Sequence, residues 1–108
     1  MSIVGNSGSN NSLTGWDYAH VSGAGTFIIA TSGPCILHTV NANAAGTLCQ
    51  VYDAADASSL TAANTVAAIA TTVQRSTSTF DVRMNNGIVV YVTGSGSDLT
   101  ISFGPTLP

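Results

Sequence analysis

The sequence predicts an all-β fold: a single antiparallel β-sandwich or barrel, jelly-roll-like, of about eight short strands. Short apolar runs rich in Val, Ile, Thr and aromatic residues are separated by Gly, Ser and Asn, which is typical of strands joined by turns. Towards the end of the chain, apolar and polar residues alternate, as they do along a strand with one buried face. The length of 108 residues is the usual size of one domain.

Two parts of the chain are distinguished by composition. Residues 1–12 consist mainly of Ser, Gly and Asn and are expected to form an extended N-terminal arm. Either this arm is disordered, or its apolar residues Ile3 and Val4 dock on a neighbouring molecule. Residues 13–108 form the β-domain. Its predicted strands are 15–21, 25–31, 35–42, 46–53, 64–71, 77–84, 87–94 and 98–103.

Turn motifs between the last three strands predict hairpins. Asn85-Asn86-Gly87 is a strong signal, because Asn-Gly tolerates the positive φ angles of a type I′ turn. The segment 94–97, Gly-Ser-Gly-Ser, is expected to close the next hairpin.

The Ala-rich segment 54–72 leaves two interpretations open. The first is a helix capped by Asp56 or Ser58. However, its apolar positions form no helical stripe, and Thr and Asn recur throughout. The preferred interpretation is a loop over 54–63, with at most one short turn, followed by a strand.

No cofactor or metal site is predicted. A turn at 43–46 would place Cys35 and Cys49 roughly 17 Å apart along paired strands, too far for a disulfide, although a shifted register would bring them together. Two small buried thiols are therefore expected. Zinc needs four ligands, and His20 and His38 are the only histidines, so we expect them to be partly buried or interfacial side chains.

Composition excludes several classes of function. Only 6% of the residues are charged, the net charge is −3, and the cations are two arginines. Binding to nucleic acid or to an anionic membrane surface needs more cations than this. A surface so poor in charge suits a protein that is assembled with other copies or on a larger body. The N-terminus shows no secretory signal, so cytoplasmic synthesis is expected.

Catalytic motifs are absent from the sequence, and the protein is predicted not to be an enzyme. No Ser lies in a G-x-S-x-G motif. Asp53 and Asp56 are expected to bond nearby backbone N–H groups rather than hold an ion.

The arginines are the candidates for contact with a partner. Arg83 stands two residues after Asp81, so an ion pair within the chain is one interpretation. Alternatively, Arg75 or Arg83 anchors an acidic partner, since Arg is enriched at interfaces. Together with Ile3 and Val4, they are the predicted partner contacts.

Four aromatic residues, Trp16, Tyr18, Tyr52 and Tyr91, are candidates for a sugar-binding platform. Trp16 and Tyr18 share one strand face, whereas Asp17 takes the other. For a lone Trp, packing in the core is the expectation.

From residue 23 onward, several motifs follow one another. They are Gly33-Pro34 before an apolar strand, Val51-Tyr52-Asp53 at a strand end, the segment from Phe80 to Gly94, and Thr100 to Phe103. In this order they resemble a family of small virion proteins of tailed bacteriophages. The resemblance covers about three-quarters of the chain.

This resemblance implies a capsid decoration (cement) protein that bridges coat subunits and stabilises the mature phage head. The implied partner is the major capsid protein, and the implied assembly is a homo-oligomer, most often a trimer, on the virion surface. The alternative is a tail, fibre or head-fibre component that binds carbohydrate during host attachment. Neither reading supplies catalytic residues or a cofactor.

Overall fold

The computed structural model describes residues 2–3, 16–31 and 33–105, which form two β-sheets packed face to face. The strands are β1 (Ser2–Ile3), β2 (Asp17–Ser22), β3 (Gly25–Ala30), β4 (Cys35–Ala44), β5 (Leu48–Tyr52), β6 (Thr65–Ala70), β7 (Ser76–Met84), β8 (Ile88–Thr93) and β9 (Asp98–Pro105). All eight strands predicted from the sequence are present. The antiparallel β-sandwich is thereby confirmed.

The strand order is that of a jelly roll. One sheet has the order β1-β3-β8-β5-β6 and the other β2-β9-β4-β7. From β2 onward, each strand crosses to the opposite sheet, except that β5 is followed by its neighbour β6. Pairing is antiparallel apart from β1, which runs parallel to β3. Crossing connections of this kind build a double-sheet jelly roll from two Greek keys.

The predicted hairpin at Asn85-Asn86-Gly87 is wrong, because this turn connects β7 in one sheet to β8 in the other. The Asp53 carboxylate accepts hydrogen bonds from the N–H groups of Asn85, at 3.0 Å, and Asn86, at 2.7 Å. Gly87 has a φ of 153°, and a Cβ at this position would lie 2.4 Å from the carbonyl oxygen of Ala30. Glycine is thus required by a close backbone crossing.

Two further connections also cross between the sheets. Segment 94–97 does form a tight turn, with the N–H of Ser97 donating to the carbonyl of Gly94 at 3.1 Å, but it leads from β8 to β9. Segment 43–46 leads from β4 to β5, so these strands do not pair as the sequence suggested. Cys35 and Cys49 are nonetheless both buried and free.

Segment 54–72 contains no α-helix. It begins with two 3₁₀ turns, Ala57–Ser59 and Ala62–Asn64, and then enters β6. Asp56 caps the first turn by accepting a hydrogen bond from the N–H of Ser58 at 3.0 Å. Local bonding by this carboxylate agrees with the prediction from the sequence. The long connection is therefore ordered by its own polar side chains.

The core lies between the two sheets and is apolar. Buried and exposed residues alternate most clearly along β2 and β7, as the period of two requires, whereas β8 is buried at three successive positions, Ile88, Val89 and Val90. The largest fully buried side chains of the central cluster are Leu37, Met84, Ile88, Leu99, Ile101, Val21, Val51, Val90 and Val92. Burying such a side chain contributes about 1.5–3 kcal/mol relative to leaving it exposed.

Replacing Asp53 by Ala is expected to lower the free energy of unfolding by about 1–2 kcal/mol, because two charge-assisted hydrogen bonds to the β7–β8 crossing are lost. Urea denaturation measures this change. Asp56→Ala is the control, since that carboxylate bonds only Ser58 and Ser59 of its own exposed turn. An equal effect of both substitutions would contradict a special role of Asp53 at the crossing.

Both thiols are expected to be unreactive in the folded protein. Burial raises the pKa of Cys49 to about 12, and burial together with the nearby Asp53 carboxylate raises the pKa of Cys35 to about 11. At pH 8 the fraction of reactive thiolate then falls more than about 100-fold below that of an unfolded chain. Iodoacetamide labelling followed by intact mass measurement, with and without urea, tests this. Rapid double labelling of the native protein would show that the two sites are open.

Candidate functional site

The outer face of the four-stranded sheet, named the polar face below, is the most structured polar surface of the described residues. It consists of the outward-pointing side chains of β2, β9, β4 and β7, together with Trp16 just before β2. The strand registers align these side chains in rows. In one row, His20 lies opposite Thr100, Thr100 opposite Asn41, and Asn41 opposite Thr77.

A chain of hydrogen bonds follows this row from β7 to β9. The Thr77 hydroxyl donates to Asn41 Oδ1 at 2.6 Å, and Asn41 Nδ2 donates to Asn43 Oδ1 at 2.6 Å. Asn43 Nδ2 then donates to Asp98 Oδ1 at 3.0 Å and to the Thr100 hydroxyl at 2.9 Å. All donors point in one direction, so each bond polarises the next. The Asp98 carboxylate ends the chain.

His20 on β2 completes this network. Its Nε2 lies 2.6 Å from Asp98 Oδ1. The pKa of Asp98 is lowered, first by the hydrogen bond from Asn43 and then by that from His20. Both interactions favour the ionised carboxylate.

A second network crosses the same sheet at its other end. The Trp16 ring stacks on His38 with a centroid distance of 4.3 Å and an interplanar angle of 8°. His38 Nδ1 is hydrogen-bonded to Asp81. Trp16 reaches His38 across β9 because Gly104 has no side chain; a Cβ there would lie 2.8 Å from Trp16 Cε3.

Strand irregularities position the His38–Asp81 pair. The pairing of β4 with β7 shifts between Leu37 and Thr39. Asp81 adopts a φ of 50°, in the left-handed region that Asp tolerates better than most residues. A bulge of this kind re-aims a side chain.

The expectation that Trp16 packs in the core is wrong. Its side chain is 50% exposed, and Tyr18 on the same face is 52% exposed. Sequence reasoning already placed these two aromatic residues on one face. It did not connect them with His38, Asp81 or Asp98, because that requires the order of the strands in the sheet.

The arginines remain outside both networks. The intrachain pair of Arg83 with Asp81 is wrong, since Asp81 bonds His38. Arg83 lies exposed near the end of β7, and Arg75 lies exposed just before β7. Across residues 16–31 and 33–105, the contacts between a basic side chain and a carboxylate are the His20–Asp98 and His38–Asp81 pairs, so neither guanidinium is paired there.

Of the other two predicted contacts, Ile3 lies in β1, where its backbone pairs with Ile28 of the same chain. Val4 lies outside the described residues. Through this pairing, the beginning of the arm forms the edge strand of the five-stranded sheet.

One side of the sandwich, named the β6–β7 side, presents an edge strand from each sheet. β6 ends the five-stranded sheet and β7 ends the four-stranded sheet. β6 contains neither a charged residue nor a proline. Val66 on β6 is 37% exposed, and Val73 in the connection to β7 is 64% exposed.

Within the described ranges, no group of three or more His, Cys, Asp or Glu side chains is arranged to hold a metal ion. In the same part of the chain, no helix has the length and hydropathy needed to cross a bilayer. Comparisons with protein-family models, curated proteins and solved structures found no match.

The pH dependence of stability should report the Asp98 network. Because the pKa of Asp98 is lower in the folded state than in the unfolded chain, its stabilising contribution is present above about pH 4. It is lost as the pH falls further, through the folded pKa. Thermal unfolding of wild type and Asp98→Asn between pH 2 and 6, a range of roughly two units either side of the unfolded pKa, should show a shallower acid slope for the variant. The same pH dependence of stability in both proteins would mean that the hydrogen bonds from Asn43 and His20 do not lower the pKa of Asp98.

Proposed function

We propose that this protein is a non-enzymatic structural component of a tailed-phage virion. In this proposal it is a decoration protein that binds the major capsid protein on the surface of the mature head. It is made in the host cytoplasm and acts as a homo-oligomer, with a trimer favoured. The sequence resemblance and the charge-poor composition support this function.

The structural observation that carries the proposal is the β6–β7 side. An exposed edge strand offers unpaired N–H and C=O groups, and monomeric proteins usually protect such an edge with Lys, Pro or a covering segment. The chain contains no Lys, and β6 has no charge. At the opposite end of the same sheet, β1 pairs with the outer edge of β3. β6 is thus suited to be covered by another protein.

Charge on the β6–β7 side indicates the chemistry of the partner. Arg75, just before β7, and Arg83, near the end of β7, are the only Lys or Arg residues of the protein and are unpaired with any described residue. Four carboxylates, those of Asp53, Asp56, Asp81 and Asp98, are instead bonded within the chain. A coat surface with carboxylates beside an apolar patch would match this side, since guanidinium groups bind carboxylates in a bidentate manner.

The proposed mechanism is stabilisation by mass action. A protein that binds only the assembled lattice lowers the free energy of that state. At a free concentration one hundred times the dissociation constant, each binding event contributes about 2.7 kcal/mol. Ile3, Val4 and the remainder of the N-terminal arm are proposed as a second contact, with a neighbouring copy or with the coat.

The first test of the proposed function is the protein composition of the native particle. Quantitative mass spectrometry should find this chain at an abundance comparable to that of the major coat protein. A few copies per particle would favour a tail or fibre component instead. Absence from the particle would overturn the proposal.

Particle binding should also depend on the β6–β7 side. Val66→Lys introduces a charge on the exposed edge, and we expect it to weaken co-sedimentation with particles lacking this protein at least about tenfold, which is about 1.4 kcal/mol. Ala24→Lys, at an exposed position in the β2–β3 connection, is the matched control and should bind as wild type. A chain without residues 1–12 tests the arm separately. Equal binding by Val66→Lys and wild type would exclude the β6–β7 side as the contact.

A further inference from the structure

The polar face presents an aromatic pair at its β2 edge, remote from the β6–β7 side in the strand order. Trp16 and Tyr18 are two residues apart on the same face, so their Cα atoms are separated by about 7 Å along the strand direction. Both side chains are about half exposed. β2 is the edge strand of its sheet, so the pair is open to solvent on its outer side.

Trp16 is held in place before any ligand arrives. One face of its ring stacks on His38, and its edge rests on the backbone of Gly104. His38 is in turn fixed by its hydrogen bond to Asp81. A preorganised ring loses little conformational entropy on binding, which favours affinity for a weakly held ligand.

Hydrogen-bonding groups lie next to the aromatic pair. Tyr18 lies opposite Ser102, Ser102 opposite Thr39, and Thr39 opposite Thr79, so a row of hydroxyl groups crosses the sheet. This row lies between the two networks that end at Asp81 and Asp98. Hydroxyl groups both donate and accept, whereas ionised carboxylates only accept.

This combination matches the chemistry of a sugar. A pyranose ring has an apolar C–H face and a rim of hydroxyl groups, each of which donates and accepts hydrogen bonds. An exposed aromatic ring packs against the apolar face, and fixed polar groups beside it bond the rim. The net charge of −3 disfavours an anionic sugar by repulsion, and the Arg83 guanidinium lies at the β7 edge of the polar face, opposite to the β2 edge that carries the aromatic pair.

We propose that the polar face is a binding site for neutral saccharides at its β2 edge, in which a sugar ring packs on Trp16 and Tyr18 and its hydroxyl groups bond the near end of the hydroxyl row, at Ser102. The site is separate from the β6–β7 side, so a decoration protein docked by that side would present it away from the docked edge. The proposal of a saccharide site does not depend on the proposed virion function.

Intrinsic fluorescence gives a direct readout, because Trp16 is the only Trp of the chain. The full-length protein is screened on a glycan array and then titrated with oligosaccharides of glucose, galactose, mannose and N-acetylglucosamine. Sialyllactose serves as the anionic comparison. The expected result is saturable binding of at least one neutral probe with a change in Trp emission, and weaker binding of sialyllactose.

Variants locate the site. Tyr18→Ala removes an exposed ring and should weaken binding at least about tenfold, about 1.4 kcal/mol, without unfolding the protein. Tyr91→Ala is the matched control, since Tyr91 is 42% exposed on the outer face of the other sheet. Ser102→Ala removes the hydroxyl group opposite Tyr18 and should weaken binding as well. Circular dichroism verifies that each variant is folded.

Three outcomes would overturn the proposal. The first is that no neutral probe binds at millimolar concentration. The second is that Tyr91→Ala weakens binding as much as Tyr18→Ala does. The third is that sialyllactose binds more tightly than every neutral probe, which would assign the face to an anionic ligand.

Discussion

The pairing of β4 with β9 is the constraint on which the polar face and half of the core depend. These strands occupy the centre of the four-stranded sheet, and their register places Val40 opposite Ile101 on the inner face and Asn41 opposite Thr100 on the outer face. A shift by one residue would exchange the two faces. Two irregularities interrupt this pairing, one at His38 and one at Asn43. Each of these residues is a β4 member of one cross-sheet network.

The sequence predicted strands well and connections poorly, for a physical reason. Short apolar runs between turn residues, with clear alternation in the last three, are local properties, and they located all eight strands of the sandwich, including β6 after the ambiguous Ala-rich segment. Which strands pair is decided by packing between the sheets. Asn-Gly normally closes a hairpin. Here the Asp53 carboxylate accepts hydrogen bonds from the turn, and β8 belongs to the sheet opposite β7. The aromatic pair was visible from its spacing, whereas its polar neighbours come from strands distant in sequence.

The ionisable groups are of two kinds, paired and unpaired, and β7 carries one of each: Asp81 bonds His38, whereas Arg83 on the same face bonds no described residue. On the polar face, both histidines are bound to carboxylates, and these pairs fix side chains in defined positions. On the β6–β7 side, the guanidinium groups lack such partners among the described residues. Exposed contacts of this kind add only modestly to stability, so the main effect of the His–Asp pairs is to hold side chains in defined orientations. In this charge-poor protein, Asp81 and Asp98 thus orient the histidines, and the two guanidinium groups are available for contact with a partner.

The position of β9 between β2 and β4 also governs the order in which the domain can form. Asp17 pairs with Phe103, so almost the entire sandwich lies between two residues that must meet. During synthesis, β2, β4 and β7 emerge before the strand that joins β2 to β4, so the four-stranded sheet cannot be completed until β9 emerges. Such non-local pairing predicts folding in milliseconds to seconds rather than microseconds. Until β9 pairs, β2 and β4 have unpaired edges, and such edges favour aggregation of the incomplete chain.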